Sequence, residues 1–99
     1  MSNIDKDEIN KFSKLAEKWW DPNSEFKPLH DINPLRLNYL KSLIDLKGKE
    51  ILDIGCGGGI FSESMAKEGG DVTGIDASDK SIQVARIHLK KSKYNINYL

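Results

Sequence analysis

The chain has a single cysteine, Cys56, in 99 residues. No internal disulfide can form, and such usage suits a reducing cytoplasm. Neither sign of charge is in excess: 15 Lys and Arg balance 15 Asp and Glu, for a formal net charge of zero. Nothing in that balance calls for nucleic acid or an anionic membrane as partner. No apolar run approaches the roughly 20 residues of a membrane-spanning helix. The polar, acidic start does not read as a secretory leader. Internal repeats, low-complexity tracts and groupings with metal-ligand spacing are all missing, so no metal ligand is assigned. The length allows at most one small domain.

What is present is concentrated between Glu50 and Asp76, EILDIGCGGGIFSESMAKEGGDVTGID. A short apolar run, Ile51-Leu52-Asp53-Ile54, leads into a glycine-dense turn, Gly55 to Gly59. A helical pattern, Ile60 to Glu68, follows and is closed by Gly69-Gly70. A second apolar run, Val72 to Ile75, stops at Asp76. Strand, glycine loop, helix, strand and acid make the βαβ unit that holds the adenosine end of a nucleotide-like cofactor. Gly55 and Gly57 let the chain turn sharply and let a ligand approach the backbone. A carboxylate at Asp76 can accept hydrogen bonds from two ribose hydroxyls.

Two familiar loops are excluded. The dinucleotide pattern G-x-G-x-x-G would need glycine at position 60, which is Ile60, and no G-K-[ST] of a phosphate-binding P-loop follows. The string is instead D-x-G-x-G-x-G, with Asp53 two residues before Gly55. A carboxylate at the mouth of the loop would repel a pyrophosphate and suit a cation such as the ammonium of a methionine moiety. This points to S-adenosyl-L-methionine rather than NAD.

ILDIGCGGG followed by VTGID resembles motifs I and II of the class I S-adenosylmethionine-dependent methyltransferases. Upstream, Trp19-Trp20-Asp21, the string EFKPLH from Glu25 to His30 and the string INPLRL from Ile32 to Leu37 resemble the ubiquinone-biosynthesis O-methyltransferase family. The resemblance runs from about Ile9 to the last residue. It implies an α/β, Rossmann-like fold, of which this length holds the N-terminal portion: two helices, then a β-α-β-α-β start. The division expected is a helical cap region over 1–46 and the first part of the cofactor-binding domain over 47–99.

Along the chain, Met1 to Ile4 are expected to fray. A helix from Asp5 follows, with Ile9, Phe12, Leu15, Ala16 and Trp19 on one face, packed on a core or serving as a lid. Residues 21–33 read as a loop containing Pro28. Trp19 and Trp20 beside it are core residues, stack on an aromatic substrate or touch lipid; Phe26 and His30 lie in the same loop. Pro34 is expected to open the second helix with Asn33 as its N-cap. Taken alone, Arg36 near that helix start is a solvated charge. The resemblance implies that it binds the cofactor, where a guanidinium can pair with the methionine carboxylate. Cys56 reads as a small side chain in a tight loop, not a nucleophile. Ala77, just past Asp76, is expected near the adenine. A helix capped by Ser78 or Asp79 follows, its end carrying Arg86, Lys90, Lys91 and Lys93 as a solvated face. Residues 95–99 look like the start of a third strand.

The expected cofactor site is therefore Arg36, Asp53, Gly55, Gly57, Asp76 and Ala77, with no catalytic base assigned. The resemblance implies methyl transfer to a phenolic oxygen of a polyprenylated catechol or demethylubiquinol. It also implies a cytoplasmic location with peripheral contact at the inner face of a membrane. The partners implied are that small-molecule substrate, a missing C-terminal half and other ubiquinone-pathway proteins. Alternatives are a cofactor-binding fragment without turnover, half of a split enzyme, and a nicotinamide-dependent oxidoreductase fragment.

Overall fold

The computed structural model describes residues 3–99, with side chains from Asp7 onward. The fraying expected at Met1 and Ser2 lies outside the described residues, whereas Asn3 and Ile4 are helical. The elements are α1 (Asn3–Trp19), α2 (Lys27–Leu43), β1 (Glu50–Ile54), α3 (Ile60–Lys67), β2 (Asp71–Ile75), α4 (Asp79–Leu89) and β3 (Asn97–Tyr98).

The three strands form one parallel sheet in the order β1-β2-β3. β1 and β2 pair along their full length, from Glu50 opposite Asp71 to Ile54 opposite Ile75. Right-handed crossovers between successive neighbours put α3 and α4 on the same face of the sheet. Burial follows that asymmetry: Asp53 and Val72 are buried, while Leu52 and Ile54 point the other way and are 56% and 74% exposed. α1 packs on α4 and α2 on α3. The core gathers Leu46, Met65, Val72, Ile82, Ala85, Ile96 and Tyr98. Tyr98 fits against Gly74, where a Cβ would come within 2.7 Å of its ring.

α3 ends on Gly69 at φ +93°. The Gly69 N–H donates to the Ala66 carbonyl at 2.9 Å, and the Gly70 N–H to the Met65 carbonyl at 3.1 Å. That is the Schellman arrangement, which satisfies the last carbonyls of the helix. α4 starts on Ser78, whose Oγ accepts from the Ser81 N–H at 3.2 Å.

The second helix corrects the sequence reading. It starts at Lys27 rather than Pro34, so Pro28 takes the first-turn position and Pro34 lies inside the helix. Both prolines could mark a helix start, because neither needs an N–H there. The chain uses the first and forgoes one backbone bond at the second. Asn33 is consequently not a cap; its side-chain amide donates to Ser64 Oγ on α3 at 2.8 Å. Arg36 stands well inside α2, not near its start.

Candidate functional site

The loop between β1 and α3 is built from left-handed turns. Gly55, Gly57 and Gly59 have φ of +72°, +56° and +92°, a region that side chains with a Cβ avoid. Two backbone bonds tie the loop to β2: the Gly55 and Cys56 N–H groups both donate to the Ile75 carbonyl, at 2.8 and 3.0 Å. The Gly57 N–H donates to Asp76 Oδ2 at 2.9 Å, and the Gly59 N–H to the Cys56 carbonyl at 3.1 Å. Four loop amides are thus committed within the protein.

Gly55 lines two clefts. One is walled by Trp19, Leu29, Ile32, Asn33, Arg36, Ile60, Phe61 and the loop from Gly55 to Gly58. The other is walled by Ile54, Gly55, Ile75, Asp76 and Ala77. A Cβ at Gly55 would meet nothing within 4 Å, so the backbone there faces open space. The structure thus brings Arg36, Gly55 and Gly57 together on one side, and Gly55, Asp76 and Ala77 on the other.

Arg36 holds its guanidinium over the Phe61 ring, 4.2 Å from the centroid. Cation–π contact orients the exposed charge towards the cleft without consuming its hydrogen-bond donors. Asp76 accepts from the Gly57 N–H through Oδ2 and from the Ser78 N–H at 2.8 Å through Oδ1. Each carboxylate oxygen accepts a second bond, so capacity for two hydroxyls remains.

Asp53 is placed differently from expectation. It lines neither cleft, is 8% exposed, and its Oδ2 accepts from Ser62 Oγ at 2.6 Å. The alternation of β1 turns this carboxylate inward under the loop rather than out at its mouth. Burial and the nearby Asp53 and Asp76 charges push the Cys56 thiol up to about 11. It stays a neutral thiol at ordinary pH, a poor nucleophile.

Both tryptophans cover the loop. Trp19 stacks on Phe26, with centroids 4.3 Å apart, and overhangs Gly58, where a Cβ would lie 2.6 Å from Trp19 Cδ1. Trp20 donates from Nε1 to the Gly58 carbonyl at 3.0 Å and stacks flat on His88 at 3.5 Å. His30 Nε2 lies 2.9 Å from the Trp19 carbonyl. Sequence reasoning missed Gly58, whose bare Cα admits the Trp19 ring, and the pair formed by Glu63 and His88 behind Trp20. The signal for Gly58 was only the run of three glycines; the pair is 25 residues apart and left no local trace.

Comparison with known proteins follows this geometry. Residues 45–98 match the family model described as a methyltransferase domain. The chain is 59% identical over 96 residues to the ubiquinone biosynthesis O-methyltransferase of Nitrosospira multiformis, covering 97% of this chain and 40% of that protein. It spans about two fifths of the length of the curated relatives it matches. The magnesium protoporphyrin IX methyltransferase of Synechocystis PCC 6803, solved with bound SAH, shares the fold at TM-score 0.72 and 21% identity, over 91% of this chain and 45% of that one. An S-adenosylmethionine-dependent methyltransferase from Mesorhizobium loti aligns at TM-score 0.53 and 30% identity, over 63% of this chain and 28% of that one. The glycine loop, the acid closing β2 and the parallel strand order are those of a class I methyltransferase fold, in its N-terminal portion, and the chain belongs to the methyltransferase domain family.

Proposed function

We propose that this chain forms the cofactor-binding part of an S-adenosyl-L-methionine-dependent O-methyltransferase of ubiquinone biosynthesis. The observation that carries the reading is the position of Gly55 between two clefts, one presenting the Arg36 cation and the other the Asp76 carboxylate. An elongated ligand with a carboxylate at one end and a ribose at the other fits that polarity. The division into a helical cap over 1–46 and a cofactor-binding part over 47–99 belongs to the same proposal.

In this reading Arg36 pairs with the amino-acid carboxylate, and Asp76 accepts from the ribose hydroxyls. Ala77 lies beside the base. Gly55 and Gly57 admit the ligand's middle to the backbone, and the buried Asp53 carboxylate favours the cationic end from beneath the loop. The bound cofactor supplies a sulfonium methyl, activated without help from the protein. The contribution of these residues is to hold it in one pose, from which an oriented acceptor reacts far faster than a free one. The acceptor, by likeness to the curated relatives, is a phenolic hydroxyl of a polyprenylated catechol or demethylubiquinol. Peripheral contact with the inner face of a membrane follows from the lipid tail of that acceptor; no helix among the described residues is long and apolar enough to cross one.

A second reading is favoured by the share of the relatives that the chain spans: it binds the cofactor and turns over only with a further polypeptide segment. Thermal unfolding with S-adenosylhomocysteine, with NAD as control, tests the shared premise. Ligand at 100 times its dissociation constant adds about 2.7 kcal/mol, and Arg36→Ala or Asp76→Ala shrinks the shift. A transition moved by NAD, or by neither ligand, overturns the cofactor assignment. Methylation of a catechol by the isolated chain would decide for the first reading over the second.

A further inference from the structure

Against the glycine loop lies a group of side chains that the cofactor reading does not use. Glu63 of α3 is buried, its side chain 8% exposed, and its Oε2 lies 2.6 Å from Nδ1 of His88 on α4. One face of that imidazole is covered. It lies parallel to the Trp20 ring, at an interplanar angle of 2° and a centroid distance of 3.5 Å. Trp20 in turn donates to the Gly58 carbonyl. A continuous chain of contacts therefore runs from α3, through α4 and the segment after α1, back to the loop at the head of α3.

We propose that Glu63 and His88 are positioning residues that lock the Trp20 ring in the one orientation that holds the Gly58 carbonyl, and so fix the shape of the glycine loop. The chemistry supports each link. A carboxylate accepting from Nδ1 sets the plane of the imidazole, stacking transmits that plane to the indole, and the indole Nε1–H is a single donor whose direction is fixed by the ring. The loop needs such an outside tie. Its glycines carry no side chains to hold it, and each loses more backbone freedom on ordering than any other residue. The other groups around this chain of contacts are His30 of α2, edge-on to Trp20 at 6.4 Å, and Tyr98 of β3, whose buried hydroxyl has no hydrogen-bond partner among the described residues. Burial raises Glu63 above its ordinary value and the His88 bond draws it back, as expected of an acid kept indoors for the partner it orients.

The test is amide hydrogen exchange at Gly57 and Gly59, whose N–H groups close the loop, with Asp71 as reference; its N–H bonds to Lys49 at the far end of the sheet. Trp20→Phe keeps a ring and removes the donor; His88→Gln keeps a donor for Glu63 and removes the ring. Each speeds exchange at Gly57 and Gly59 about fivefold, the worth of one ordinary hydrogen bond, and leaves Asp71 unchanged. Glu63→Gln retains an acceptor for His88 and keeps the slow loop exchange of the parent. Loop exchange unchanged in Trp20→Phe or in His88→Gln, or Asp71 accelerated in step with the loop, overturns the proposal. The consequence for cofactor binding rests on the proposed function: S-adenosylhomocysteine affinity falls by about the same fivefold factor. Loop-selective exchange effects in the variants, with a parent chain that does not bind S-adenosylhomocysteine, would overturn the cofactor assignment and leave the lock standing.

Discussion

At the scale of single residues, the site depends on acids that the fold treats unequally. Asp76 stays half-buried beside the second cleft, bonded to two backbone N–H groups, whereas Asp53 and Glu63 are drawn inside. Glu63 carries a pH signature. Its native value is raised above 4.5, with burial the larger cause. A raised native value means that the fold favours the neutral acid. The stability this gives is complete below 4.5 and is lost as pH rises through the native value. Glu63→Gln is neutral at every pH and still accepts from His88. The difference in urea-unfolding free energy between parent and Glu63→Gln should therefore shift against the parent as pH rises from 4.5 towards neutrality. A difference that does not change with pH would show that Glu63 is not held above its ordinary value.

At the scale of elements, the βαβ unit from β1 to β2 rests on local features. Gly69 is the clearest single point: it ends α3 in a left-handed conformation, and a Cβ there would come within 3.3 Å of Lys47. Gly69→Ala should destabilise the chain by about 1–2 kcal/mol, read as a lower denaturation midpoint at unchanged slope; no loss would mean the Schellman turn can rearrange. This unit was legible in the sequence because its signals are consecutive: apolar runs of strand length, glycines where φ must be positive, and a closing acid. The cap of α4 was narrowed to Ser78 or Asp79 for the same reason, and Ser78 takes it. The start of α2 was not, because Pro28 and Pro34 carry the same local meaning and only the contact of Asn33 with Ser64 across to α3 distinguishes them. Arg36 could be nominated only by resemblance; its place over Phe61 depends on two helices meeting. The inward turn of Asp53 was available in principle from strand alternation, once the covered face of β1 was known. Glu63 and His88 could not be paired from sequence, since nothing local joins two helices whose paired residues lie 25 positions apart.

At the scale of the whole molecule, the two faces of the sheet differ. One carries α3 and α4; the other presents Leu52 and Ile54, and among the described residues β1 has a partner on one side only. α2 adds Leu35, Tyr39 and Leu43, each more than 60% exposed. Exposed apolar surface beside an open strand edge promotes association. Sedimentation of the chain at rising concentration should show self-association, and Leu52→Lys with Ile54→Lys should reduce it without changing the far-ultraviolet spectrum. A monomer at all concentrations would show that this face is tolerated in water. One further property follows from where the indoles sit. The chain has two tryptophans, and both lie against Gly58. Its tryptophan emission therefore originates at one spot, in the same loop as Gly55, which lines both clefts. The molecule carries its own optical gauge of the site, needing no label, and anything that seats in the loop will be seen as a change of colour or brightness.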